Sequence, residues 1–318
     1  MRIAFVGKGG AGKTTLAVLF AQFAAEQGDQ VLLMDADMNL HAAELCDLAV
    51  PRERWLSEPK IRSFILKHLR GTNQRISSDD AFRKSTPPGR GSRLVFLDDP
   101  ADPLLARCTV GDNALRAAAV GTYREDEIGA SCYHNHLSIL EQLLTHLFDG
   151  KGLVVADMVA GVDAFASTLH AQFDLLVLVV EPTIRGVEVY RQYAKLAEAA
   201  GCLDAIRVVG NKVRSPEDEN FLGQHIPAEH LFGYVPESDY LRSRDQQGGA
   251  LQVSVLESPG RSVLNRLWQE LKAIPYEPQK RLEKIWSLHE RYVAQGFIRE
   301  RFGDLTSQID PTFQYERL

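Results

Sequence analysis

Predominantly apolar runs of strand length recur along the chain, at residues 1–6, 31–35, 153–157, 175–180, 206–212 and 231–237. Most show no alternation with polar residues, which predicts strands buried on both faces rather than strands with one wet side. Between them lie stretches with helical apolar spacing: 16–27, stopped by Gly28, then about 58–70, 137–147 and 186–200. Strands alternating with helices of this length predict an α/β fold, a mostly parallel sheet flanked by helices on both faces. The pattern loosens over residues 51–113, where the stretch 77–93, containing Pro87-Pro88-Gly89, predicts a mobile surface insertion. A break at 275–278 separates a first domain, 1–274, from a helical C-terminal extension, 275–318. In that extension Leu282, Ile285, Trp286, His289, Tyr292, Val293 and Phe297 mark out one amphipathic helix over 279–301. Three uses fit it: packing back on the core, docking a partner, or lying on a membrane surface.

Composition keeps this picture and narrows it. The 318 residues are 45% hydrophobic and 25% charged, enough for a large core, which excludes a disordered chain and a disulfide-stapled miniprotein. The net charge of −6 argues against a general polyanion binder. Basic residues between Arg52 and Arg70 fit a solvated helix face better than a nucleic-acid patch. The longest apolar runs fall far short of the roughly 20 residues that span a bilayer. The stretch at residues 3–6 breaks at Gly7, unlike a secretory leader, and four scattered cysteines suit a reducing compartment; a cytoplasmic protein is expected.

The chemistry concentrates where the first run ends. Gly7-Lys8-Gly9-Gly10-Ala11-Gly12-Lys13-Thr14-Thr15 joins a predicted strand to a predicted helix in the form G-x-x-x-x-G-K-T. That is a phosphate-binding P-loop in its expected context. Its glycines let main-chain N–H groups close around a phosphate with no Cβ in the way, and the following helix offers its positive end to the same anion. Lys13 can reach the β- and γ-phosphates, and the Thr14 hydroxyl suits Mg2+.

Lys8, directly after the first glycine, narrows the class. Residues 8–15 resemble the deviant phosphate loop of the MinD/ParA ATPases, the SIMIBI class. The resemblance implies an ATP- and Mg2+-dependent ATPase that works as a homodimer, with Lys8 reaching across to the partner's phosphates. It also implies roles further along. Asp35-Ala36-Asp37 closes the second run; there Asp37 would orient the attacking water and contact the Mg2+ shell, whereas Asp35 suits a turn. Asp157-Met158-Val159-Ala160-Gly161 resembles the second switch, with Asp157 holding Mg2+ through water and Gly161 near the γ-phosphate. Val159 stands where the family commonly has glutamate or proline. Asn211-Lys212 would supply a carboxamide that reads adenine and a lysine stem packed on the base, with Pro236 in the loop beside it. Catalytic candidates are thus Lys8, Lys13 and Asp37, and Mg2+ candidates are Thr14, Asp37 and Asp157.

Cys132-Tyr133-His134-Asn135-His136 precedes the helix expected over 137–147. On an extended segment, two-residue spacing would put Cys132, His134 and His136 on one side, a donor set suited to Zn2+ or Ni2+. Two copies across a dimer axis could complete a tetrahedral site. The layout resembles the CooC-type carbon monoxide dehydrogenase maturation ATPases, which carry Cys-x-Cys here. With His134 in the second place, a retuned metal site and a lost one both stay open. Under that resemblance the chain is a nickel-insertion accessory ATPase serving a client metalloenzyme. The alternative is a positioning ATPase of the ParA/MinD type that binds DNA or membrane. A synthetase that phosphorylates a carboxylate fits less well, because that class usually omits Lys8.

Overall fold

The computed structural model describes residues 1–122, 133–161, 165 and 168–315, with main chain only at 133–135. The strands are β1 (Arg2–Gly7), β2 (Val31–Ala36), β3 (Val95–Phe96), β4 (Val110–Gly111), β5 (Leu115–Ala119), β6 (Leu147–Phe148), β7 (Leu153–Met158), β8 (Leu175–Val180), β9 (Ile206–Val213) and β10 (Leu231–Pro236). The helices begin with α1 (Lys13–Glu26), α2 (Pro59–Arg70), α3 (Pro103–Cys108), α4 (Tyr133–His146) and α5 (Ile184–Ala199). They continue with α6 (Pro216–His225), α7 (Asp239–Gln247), α8 (Ser258–Ala273), α9 (Pro278–Val293) and α10 (Gly296–Phe302).

Eight strands form one sheet in the order β10-β9-β8-β1-β7-β2-β5-β4, while β3 and β6 pair separately. All neighbours in the large sheet run parallel except β4 and β5. Every residue of β1, β2, β7 and β8 is buried, because alternate side chains feed two separate apolar layers. Ile3, Phe5, Leu33 and Val155 pack with α1 and α8; Ala4, Leu32, Met34 and Val154 pack with α2, α4 and α5. This is the two-sided covering expected of continuous apolar strands. The strand ends that carry Gly7, Asp35, Asp157 and Asn211 therefore lie along one edge of the sheet, where open parallel sheets bind ligands.

The insertion differs from its expectation. Ile61, Ile65, Leu66 and Leu69 of α2 sink into the second apolar layer, and residues 85–89, across Pro87-Pro88-Gly89, are buried rather than a surface loop. The C-terminal region lies over them. Ser85 Oγ meets His289 Nδ1 at 2.9 Å, Thr86 Oγ1 donates to Gln308 at 2.9 Å, and Arg90 N donates to Asp310 at 2.9 Å. The helix expected over 279–301 is two helices, since Gln295 has an extended backbone and Gly296 follows it. Its apolar stripe does pack inward through Leu282, Ile285, His289 and Val293, while Phe297 stays 63% exposed. Among the described residues no helix is long and apolar enough to cross a membrane.

At the sheet edge away from the phosphate loop, α9 is tied to the strands by charge. Asp149, fully buried, accepts from Arg2 Nε at 2.8 Å and from Arg281 Nη1 at 3.0 Å, and Arg281 also grips Asp174 at 2.8 Å. Burial pushes the Asp149 carboxyl up, but Arg2, the amino terminus and Arg281 outweigh it and hold it far below the usual carboxylate range.

Candidate functional site

The strand β1 delivers the chain to a turn that only glycine can make. Gly7 has φ 137°, and a Cβ there would sit 2.6 Å from the Val179 carbonyl oxygen. Gly12, with φ 96°, forms the left-handed N-cap of α1, and its Cβ would meet Asn211 Nδ2 at 2.2 Å. No side chain caps α1, so its first N–H groups face the loop and the site. Lys8, Gly9 and Gly10 are exposed, Ala11 is buried, and Gly12, Thr14 and Thr15 are half-buried. The Lys13 side chain is buried and folds back toward Lys8 O at 3.4 Å, a long contact. The Lys8 main chain is held there by Ala11 N at 3.2 Å, while its side chain points to solvent.

Three carboxylates converge beside this loop. Asp35 and Asp157 are register partners on β2 and β7, and Asp37 follows two residues on. Thr14 Oγ1 donates to Asp157 Oδ2 at 2.7 Å. Asp157 is fully buried, and its Oδ1 has no hydrogen-bond partner among the described residues. Burial, with the Asp35 charge alongside, pushes the Asp157 carboxyl up to about 8. Asp35 rises to about 7, again through burial, although the Ala42 and Asp37 amides donate to it. Asp37 Oδ1 accepts from both the main chain and the side chain of Asn39, which fixes its direction. A hydroxyl on one carboxylate oxygen and an orphaned buried oxygen beside it suit a hard divalent cation, so the residues fit Mg2+.

The expected base-contacting residues also touch the loop. Asn211 Nδ2 donates to Ala11 O at 2.7 Å. Lys212, at the left-handed φ of 59°, donates to Gly10 O at 2.7 Å and pairs with Glu181 at 2.9 Å. Both residues thus brace the phosphate loop, and Pro236 is exposed at the end of β10. Gly161 N donates to Gly7 O at 3.2 Å, joining the end of β7 to the loop. Glu181 and Tyr193, whose hydroxyl donates to Gly161 O at 2.9 Å, escaped the sequence reading. Glu181 was within reach of it, being the acid that closes the β8 run; Tyr193 sits mid-helix in α5 and gives no local signal.

The cysteine–histidine segment is corrected in part. Cys132 lies outside the described residues, as does the His134 side chain. Positions 134 and 136 belong to the first turn of α4, not to an extended strand. A two-residue step turns about 200° around a helix, so these two positions share no face. His136 itself is only 7% exposed. Among the described residues no three His, Cys, Asp or Glu side chains, the Asp35, Asp37 and Asp157 carboxylates included, are placed to hold a metal ion by themselves.

Comparison with known proteins agrees with this geometry. The profile of the CobQ/CobB/MinD/ParA nucleotide binding domain matches residues 3–251. The carbon monoxide dehydrogenase accessory protein CooC of Rhodospirillum rubrum is 28% identical over 250 residues, 78% of this chain and 88% of that protein. An uncharacterized ATP-binding protein of Methanocaldococcus jannaschii is 28% identical over 240 residues, 74% of this chain and 85% of that one. A ParA family ATPase of Chlorobium tepidum TLS shares the fold at TM-score 0.56 and 14% identity, over 84% of this chain and 98% of that one. The MinD cell division protein of Aquifex aeolicus does so at 0.52 and 19%, over 87% and 98%.

Proposed function

Because this chain belongs to the CobQ/CobB/MinD/ParA nucleotide-binding family and is an ATPase, we propose that it works as an ATP-dependent dimeric switch in the maturation of a partner metalloenzyme. The similarity to CooC across 78% of the chain carries the maturation reading. The site supports the switch. The long Lys13–Lys8 contact at 3.4 Å is readily given up for the β- and γ-phosphate oxygens. Thr14 and Asp157 would hold Mg2+, which neutralises charge on the transferring phosphoryl group when bound. Asp37, aimed by Asn39, keeps its second oxygen for the attacking water. Lys8, exposed on a fixed main chain, is free to reach the phosphates of a second copy.

Nickel or zinc is cargo in this reading. Cys132, with His134 or His136, would meet its counterparts across the dimer axis. The test has two arms. Lys8→Ala should bind ATP as the wild type does yet lose ATP-dependent dimerisation in sedimentation; unchanged dimerisation refutes the switch. Stoichiometric Ni2+ or Zn2+ on the purified dimer supports the cargo, and its absence with ADP and without nucleotide removes it. ATP-dependent co-sedimentation with DNA or liposomes would move the protein to the positioning class instead.

A further inference from the structure

A largely buried chain of contacts joins the phosphate loop to helix α4, and none of the roles above uses it. The turn after β7 is bound to the phosphate loop through Gly161 N and Gly7 O at 3.2 Å. Gly161 O takes the Tyr193 hydroxyl at 2.9 Å, and the Tyr193 ring, almost fully buried, meets Phe165 edge-on at 5.2 Å. Phe165 in turn stacks on His170 at 5.6 Å. Two residues before His170, Thr168 donates through its N–H at 2.9 Å to Glu141 Oε2, and its hydroxyl donates to the same oxygen. Glu141 lies in the middle of α4 and is 1% exposed. One turn on, Thr145 Oγ1 donates to the Glu141 carbonyl and accepts from Gln172 Nε2, both at 2.7 Å. Two turns of α4 are therefore held by the segment 168–172.

A carboxylate is a costly way to fix this helix. Ile139, Leu140, Leu143 and Leu144 already bury its apolar side, so packing alone does not call for a buried acid. What the acid adds is direction, since one of its oxygens takes both the N–H and the hydroxyl of Thr168.

We propose that Glu141 is a positioning residue which makes the set of α4 depend on what the phosphate loop holds. A γ-phosphate taken into the loop displaces Gly161, Tyr193 and Thr168 follow, and Glu141 carries the change into the helix whose first turn bears His136. The route runs through hydrogen bonds and ring contacts from Gly161 to His170 and, two residues back along the same segment, from Thr168 to Glu141, and α4 is the element it acts on. The proposal rests on the ATPase reading above.

Amide hydrogen exchange over residues 137–146 tests it, on the full chain with Mg2+ and either ADP or a non-hydrolysable ATP analogue, with analogue affinity measured separately. In the wild type, exchange should differ between the two nucleotides. Thr168→Val and Tyr193→Phe each remove one hydroxyl from the route. Each should still bind the analogue and should shrink the exchange difference about fivefold, the worth of one hydrogen bond. Tyr193→Phe is the milder change and keeps the test open should Thr168→Val misfold. Analogue binding without any wild-type response in α4, or an undiminished response in both variants, overturns the relay and leaves the ATPase reading standing. Failure to bind the analogue overturns both.

Discussion

Replacing Asp157 by asparagine should make the nucleotide-free protein more stable and at the same time disable it. The carboxyl is fully buried, keeps one oxygen without a partner, and is raised from 3.8 to about 8. An unfolded chain releases this proton near pH 3.8, whereas the folded one holds it to about pH 8. From pH 3.8 to 7 the folded state therefore loses about 1.4 kcal/mol per pH unit relative to the unfolded one, about 4 kcal/mol at neutrality. Asp35 shares the pocket and part of this cost belongs to the pair, so removing one member should return about 2 kcal/mol. Asparagine keeps the acceptor that Thr14 uses at 2.7 Å and cannot ionise. Urea unfolding at pH 7 reads the difference as a higher midpoint at unchanged slope. With Mg2+ and ATP at about one hundred times Kd the wild type should gain about 2.7 kcal/mol, and the variant almost none. A nucleotide-free variant no more stable than the wild type would refute the reasoning, for it would mean that the native site already satisfies this carboxylate.

Two further outcomes follow from charge burial elsewhere. Arg2→Met leaves Asp149 Oδ1 buried without its guanidinium partner, and urea unfolding should show a loss of about 3–5 kcal/mol; adding Asp149→Leu should recover much of it. His146 is fully buried and held neutral, its pKa lowered from 6.5 to about 4 by burial. The unfolded chain takes up this proton below pH 6.5 and the folded one does not, so stability should fall by about 3 kcal/mol between pH 6.5 and 4. The difference between wild-type and His146→Gln unfolding curves isolates it, and a flat difference would show the imidazole to be protonated in place.

The phosphate loop was legible because everything that makes it is local. An apolar run, glycines at positive φ and a helix start follow one another within fifteen residues, and Gly7 and Gly12 take the conformations their residue type announces. Strands buried on both faces were legible for a similar reason, and the run at Leu175–Val180 matches its strand end to end. Asp157 could be picked out as an acid closing such a run. Its orphaned oxygen and its register opposite Asp35 could not, since β7 enters the sheet between β1 and β2 from more than a hundred residues away.

The chain's amino-acid order, taken alone, settled the layered α/β architecture and the glycine turn that joins β1 to α1, because backbone sterics and apolar periodicity act over a few residues. Tertiary contact decided the rest. It buried Pro87-Pro88-Gly89 beneath the C-terminal region, turned residues 133–136 into helix, and brought Arg281 to Asp149 and Thr168 to Glu141. Each of these depends on which distant polar group arrives to satisfy a buried partner, and burial acts on a group without regard to its position in the sequence.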